Sequence, residues 1–235
     1  MTGLVSYQLQ DSIATVTLDD GKVNVLSRQM LRDIDDALDR AAADGAVVVL
    51  TGRPGVLSAG FDLRVLRAGD EEAAADLVRA GFELAARMLS FPRPVVIACT
   101  GHAIAMGAFL LLSGDYRVGA AGPYKITANE VAIGLTMPRP AVEICRQRLT
   151  PAHFNRAVVN AEVHAPDAAV EAGFLDRLVD ETQLAGAARE VAEQLRTLDL
   201  AAHAATKLRA RDTTLAAIRV AIDLDYAAVT TATVT

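Results

Sequence analysis

Apolar and polar residues alternate from Leu4 to Leu9 and again from Ile13 to Leu18. A period of two is that of a strand covered on one face. With Gln10-Asp11-Ser12 between them, the two runs predict a hairpin. Asp19-Asp20-Gly21-Lys22 is turn chemistry, and Val23 to Leu26 continues in extended form. The period then lengthens. Met30, Leu31, Ile34, Leu38 and Ala41 fall on one helical face, with Ser27 as N-cap and Gly45 as the stop. Val47 to Leu50 is apolar throughout, as in a parallel strand buried on both faces.

Gly52, Pro54, Gly55 and Gly60 predict a loop from Gly52 to Leu66 whose backbone can approach a ligand closely, with Asp62 near the start of a short helix. Glu71 to Met88 reads as an alanine-rich helix ended by Phe91-Pro92-Arg93-Pro94. The apolar run Pro94 to Cys99 ends in Gly101. A turn of small residues, Ala105 to Ala108, opens a short apolar helix that closes at Gly114, and a further strand leads towards Glu130. Helices are expected over Ala141–Leu149, Pro151–Val159 and Asp167–Ala172, the last closed by Gly173. Leu175 to Val179 is extended. Thr182–Leu198, Ala201–Arg211 and Asp212–Val229 predict three more helices, and the terminal TTATVT is expected to fray. Strands alternating with helices, then a helical tail, predict an α/β core with an appended helical region.

Composition narrows the function classes. The chain has 235 residues, of which 52% are hydrophobic, enough for one sizeable core. A net charge of −6 without a basic stripe disfavours nucleic acid, and an aromatic share of 4% with no tryptophan disfavours stacking platforms. Cys99 and Cys145 lie in apolar surroundings without metal-ligand spacing, so free buried thiols are expected and no metal. With no leader-like N-terminus and no run of membrane-spanning length, a soluble, cytoplasmic protein without membrane contact is expected.

Chemistry concentrates between Thr100 and Glu130. A helix that starts in a tight turn presents free N–H groups and the positive end of its dipole. A carboxylate nearby would take protons while those groups hold negative charge. Glu130 stands between Asn129 and the apolar Val131-Ala132-Ile133; alone, it reads equally as a surface acid or an N-cap. Ser58 has no accompanying histidine–aspartate pattern, which argues against a hydrolase nucleophile. His102 has no nucleophile near it, the histidines at 153, 164 and 203 are scattered, and Glu143 reads as an outward or helix-pairing residue.

Three segments carry a family resemblance: VLSAGFDL (Val56 to Leu63), TGHAIAMGAFLL (Thr100 to Leu111) and NEVAIGL (Asn129 to Leu135). In order and spacing they resemble the signatures of the crotonase superfamily, the enoyl-CoA hydratase/isomerase family, and the similarity runs over nearly the whole chain. The resemblance implies a right-handed spiral of ββα units over residues 1–180. Residues 181–235 would form a helical region packing on the core and on neighbouring subunits of a homotrimer or dimer of trimers. It further implies an acyl-CoA substrate, with coenzyme A arriving as part of the substrate and no permanently bound cofactor. By alignment, Lys22, Val23, Val25, Ser58, Gly60, Phe61, Asp62 and Leu63 match segments that contact coenzyme A. Arg64 and Arg67 are candidates for its phosphates, or simply exposed.

The shared chemistry of the family is a thioester enolate held by two backbone N–H groups, which the alignment assigns to Ala59 and Met106. One such donor is worth about 3 to 4 kcal/mol of barrier where it can be removed. The family prefers glycine where this chain has Met106, a change expected to narrow the pocket while keeping the donor. Hydratases of the family use two glutamates. The first position is Phe109 here, expected to line the acyl pocket, and the second is Glu130. A single glutamate resembles the Δ3-Δ2-enoyl-CoA isomerases of fatty-acid β-oxidation, in which one carboxylate moves a proton from C2 to C4. A hydratase and a non-catalytic acyl-CoA-binding protein are the alternatives.

Overall fold

A computed structural model describes residues 3–232 of the chain. Strands β1 (Val5–Gln10) and β2 (Ile13–Leu18) form the expected hairpin, with Gln10 opposite Ile13. Its two turn residues, Asp11 and Ser12, have φ of 53° and 59°, the backbone that lets a two-residue turn follow the twist of its strands. Helix α1 (Arg28–Ala43) is capped by Ser27, whose side chain accepts the Met30 N–H, and it buries the predicted face. Strand β3 (Val47–Thr51) then lies parallel to β2.

The stretch expected as a loop from Gly52 to Leu66 contains a short strand, β4 (Gly55–Ser58), before helix α2 (Leu63–Leu66). Helix α3 (Glu71–Ser90) leads to β5 (Val95–Cys99), a second short strand β6 (Gly101–Ile104), and helix α4 (Met106–Leu112). Next come β7 (Tyr116–Ala120) and a third short strand, β8 (Ile126–Thr127). The long strands form one sheet in the order β1-β2-β3-β5-β7, completed by β9 (Arg177–Val179). The short ones form a second, parallel sheet in the order β4-β6-β8. Thus β3, β5 and β7 are each followed by a short strand and then a helix, the repeating unit that the resemblance implies. Two to four residues are too few to show a period, so the second sheet left no pattern in the sequence.

Helices α5 (Arg139–Arg148), α6 (Pro151–Val158) and α7 (Pro166–Ala172) follow β8, and α8 (Leu184–Arg196) and α9 (Leu200–Ala232) follow β9. The three terminal helices expected are therefore two, because the chain continues as one helix through Arg211 and Asp212. No proline or glycine interrupts it there. Arg211 instead reaches inward to the Leu89 carbonyl and to Asp115. The predicted frayed tail is helical as far as Ala232, and residues 233–235 lie outside the described residues.

Both faces of the large sheet are covered, which explains its unbroken apolar runs. Val47, Val49, Val96 and Ala98 pack with Leu184, Ala188 and Val191 of α8. Val48, Leu50, Val95 and Ile97 point the other way, into the core shared with α1, α3, α4 and α5. Cys99 and Cys145 are free and buried, as expected. Among the described residues no helix is long and apolar enough to cross a membrane.

Candidate active site

Four segments distant in sequence meet around the start of α4. Asn24 has φ 52° and is fully buried; its amide donates to the Leu18 and Leu57 carbonyls. Asp20 holds the same turn by accepting the N–H groups of Lys22, Asn24 and Val25. The Ser58 hydroxyl, wholly buried, donates to the Asn24 carbonyl at 2.7 Å and accepts the Gly60 N–H. Leu26 N–H donates to the Gly60 carbonyl at 2.8 Å. The two segments matched to coenzyme A, Lys22 to Val25 and Ser58 to Leu63, are thereby laced together. Val23 and Leu63 are exposed beside them. Ser58 is a structural hydroxyl, as the lack of a histidine partner pattern suggested.

The donor assignment at Ala59 is corrected by the same hydrogen bonds. Ala59 N–H donates to the Val23 carbonyl at 3.0 Å, so it is committed to joining the two loops. Two residues on, Phe61 N–H donates to no group of the chain among the described residues, and neither do the N–H groups of Met106 and Gly107. The motif identifies the segment, but the direction of each N–H depends on what the neighbouring loop accepts.

The donor loop and the helix start touch. A Cβ on Gly60, whose φ is +89°, would lie 2.9 Å from the Ile104 carbonyl oxygen and 3.3 Å from the Met106 nitrogen. A Cβ on Gly107 would lie 2.4 Å from the Ser58 carbonyl oxygen. Only glycine allows backbone to meet backbone at both places. Between them Ala105 takes φ 50° and ψ −123°, a strained conformation for alanine that turns the chain from β6 into α4. All seven residues of α4 are buried. The Met106 side chain, expected to narrow the pocket, is fully buried, with Cε near Gly81 of α3.

Glu130 is brought to this place by β8. Ala105 N–H donates to the Thr127 carbonyl at 2.9 Å, so the chain entering α4 and the chain approaching Glu130 run side by side. Glu130 is 7% exposed, and its Oε2 has no hydrogen-bond partner. Burial pushes its carboxyl up to about 7, opposed only by its own backbone amide. The Cys145 thiol of α5 is raised by burial and then by the charge of Glu130. The other buried carboxylate among the described residues, Asp62, is differently placed. It caps α2 and grips Arg64 through both oxygens, and that pairing holds it below the usual carboxylate range against the effect of burial. Arg64 is otherwise exposed, and Glu143 pairs with Arg146 on its own helix.

Phe109, expected to line the acyl pocket, is fully buried. Its ring centroid lies 6.0 Å from that of Phe82 on α3, and Phe82 is 6.2 Å from Phe61. It is Phe82 that faces a cavity of about 770 Å³ between α3, residues 136–140 and α9. Sequence reading missed Phe82, because a phenylalanine at helical spacing reads as core. The assembled site offers unpaired N–H groups on two touching loops, one buried carboxylate of raised proton affinity, and an aromatic wall.

A sequence model of the enoyl-CoA hydratase/isomerase family matches residues 8–232. Mitochondrial enoyl-CoA delta isomerase 1 of Mus musculus is 29% identical over 192 residues, 80% of this chain and 66% of that protein. A probable enoyl-CoA hydratase, echA17, of Mycobacterium avium is 30% identical over 161 residues, 66% of this chain and 61% of that protein. The alignments thus span less than two thirds of these curated relatives. Among solved structures, an enoyl-CoA hydratase/isomerase family protein from Pseudomonas syringae superimposes with a TM-score of 0.93 at 50% identity, over 95% of this chain and 96% of that one. From its signature segments to its spiral of strands and helices, the chain belongs to the enoyl-CoA hydratase/isomerase family, with the crotonase fold.

Proposed function

We propose that the protein isomerises 3-enoyl thioesters of coenzyme A to 2-enoyl thioesters through an enolate, as in fatty-acid β-oxidation. One observation carries the reading: a buried carboxylate, Glu130, with an unpartnered oxygen and raised proton affinity, and Phe109 where the family's second acid would stand. Glu130 removes a proton from C2, and the electron pair moves into the C2–C1 bond as charge builds on the thioester oxygen. The N–H groups of Phe61 and Met106 hold that oxygen. The enolate then collapses with a double bond between C2 and C3, and C4 takes the proton back from Glu130. Base and acid are the same group, whose proton affinity near neutrality suits both halves of the transfer. Hydration needs in addition a group to activate water against C3, and an aromatic ring cannot supply it.

Coenzyme A enters as part of the substrate, lying along Lys22 to Val25 and Ser58 to Leu63, and the protein works as a homotrimer or dimer of trimers. A relative described as a probable hydratase keeps the competing activity in the test. Purified protein is incubated separately with a 3-enoyl-CoA and with crotonyl-CoA. We expect 2-enoyl product from the first and no 3-hydroxyacyl product from the second; rapid hydration without isomerisation overturns the reading. Glu130→Gln is expected to lower kcat by at least about a thousandfold, in the range of losing the acid–base group, while acyl-CoA affinity measured by calorimetry stays within about threefold.

A further inference from the structure

We propose that His164 is a positioning residue for Glu130: neutral and buried, it holds residues 162–164 against the outer edge of β8, and on taking a proton it lets that edge go. The proposal rests on the reading of Glu130 as the carboxylate that moves the proton. In the sequence the histidines look scattered, but the fold brings the rings of His153 and His164 to 6.1 Å, centre to centre.

Strand β8 leads to Glu130 under restraint from both sides. On one side it pairs with β6, and the Thr127 carbonyl accepts the Ala105 N–H at the strained entry to α4. On the other side His164 lies antiparallel to it. Ile126 and His164 exchange both backbone hydrogen bonds at 3.0 Å, and the Thr127 hydroxyl donates to the Glu162 carbonyl at 3.1 Å. Glu130 comes soon after Thr127, and its Oε2 has no hydrogen bond to fix it, so its place depends on how β8 is held. The outer restraint is slight. It follows Ala161, at φ 50°, and is anchored by the Glu162 N–H on the Arg156 carbonyl.

The His164 ring plugs this restraint into the core. Its side chain is 2% exposed, its centroid lies 5.2 Å from that of Phe174, and neither ring nitrogen has a hydrogen-bond partner. Such burial lowers its proton affinity below the ordinary histidine value. The groups facing the ring are Glu162 on its own segment and His153 and Arg156 on α6, while β8 meets it with the Ile126 backbone. Glu162 Oε2 is 3.6 Å from Nε2, but the other oxygen of that carboxylate is already held by Arg156. His153 shares its Nδ1 with the Thr150 hydroxyl at 2.8 Å. Acid therefore gathers several cations around one carboxylate in a place nearly closed to solvent. Water stabilises the imidazolium once the segment swings out, so the released form binds protons more tightly and falling pH favours it.

Hydrogen–deuterium exchange, read by mass spectrometry on peptides spanning residues 124–128 and 162–166, tests the restraint without any turnover. From about pH 7.5 to about pH 5.5, corrected for the intrinsic rate, exchange there is expected to rise at least about threefold in the wild type, with residues 47–51 as an unmoved control. His164→Phe and His164→Leu are each expected to remove the rise; circular dichroism shows which of the two is folded. Glu162→Gln is expected to enlarge it, since the carboxylate eases a charge on the ring. The kinetic readout is the share of plateau kcat/KM that survives at about pH 5.5. Protonation of Glu130 alone lowers activity about tenfold per pH unit, and His164 makes the wild-type fall steeper, so the folded His164 variant is expected to keep at least about threefold more of its own plateau. Exchange that ignores pH, a rise that survives in the folded His164 variant or vanishes in Glu162→Gln, or equal acid limbs overturns the proposal. If crotonyl-CoA is hydrated instead and hydration shows the steeper limb, the positioning role stands and the isomerase reading falls. Isomerisation with equal acid limbs does the opposite.

Discussion

An acid enclosed by apolar groups destabilises the fold as soon as it ionises, and Glu130 is enclosed in this way. Its proton affinity rises from about 4.5 in the open chain to about 7 in the fold because burial disfavours the charge. Between those values the folded state binds more protons than the unfolded one, so the stability is fully present below about 4.5 and is lost as pH rises through about 7. The difference is on the order of 3 kcal/mol. Glu130→Gln is therefore expected to raise the melting temperature at pH 8 and to leave it nearly unchanged at pH 4, in paired thermal unfolding scans. The opposite sign governs activity: proton removal needs the ionised form, so kcat/KM for isomerisation should climb with pH and level off above about 7. At this scale the sequence was informative about which acid and silent about which amide. Glu130 stood out through its neighbours, whereas choosing Phe61 over Ala59 required knowing that the Val23 carbonyl is within reach.

Between elements, the decisive contacts are backbone on backbone. Helix α4 begins where Gly107 meets the Ser58 carbonyl and Gly60 meets Ala105 and Met106, and no side chain fits between. Gly107→Ala would drive a methyl group to 2.4 Å from an immobile carbonyl oxygen. Overpacking of this kind typically costs about 1 to 3 kcal/mol, which chemical denaturation would measure. Because the displaced atoms include the proposed donors, isomerase activity should fall more steeply than stability does. Helices and long strands were legible because they repeat a period over several turns or pleats. Strands β4, β6 and β8 were not, since two to four residues show no period and look like a loop until a partner is in place. The glycines of the Gly52 to Leu66 stretch did mark a close approach, but to neighbouring backbone as well as to a ligand.

For the whole molecule, α9 is the member that joins core to site. Near its beginning, Lys207 and Arg211 share the carboxylate of Asp115 at 2.7 and 2.8 Å, and Asp115 also accepts the Val95 N–H from the edge of β5. Lys207 is only 3% exposed in its side chain, so removing its counter-ion strands a buried cation. Asp115→Ala should accordingly cost about 3 to 5 kcal/mol in equilibrium unfolding, while Asp223→Ala, at an exposed pair, should cost less than about 1 kcal/mol. Nothing in the sequence hinted at this trio, because Asp115 lies 92 residues from Lys207. Nor did it reveal that two expected helices are one. Continuity has a mechanical consequence. Beyond Lys207 and Arg211 the same helix lays Leu215, Ile218, Ala221 and Ile222 into the core, so one unbroken rod joins the buried ion cluster at Asp115 to the wall of the cavity over α3. With no joint at Arg211 and Asp212, a displacement at either end is carried to the other along one helix, and the cavity wall and the ion cluster cannot shift independently.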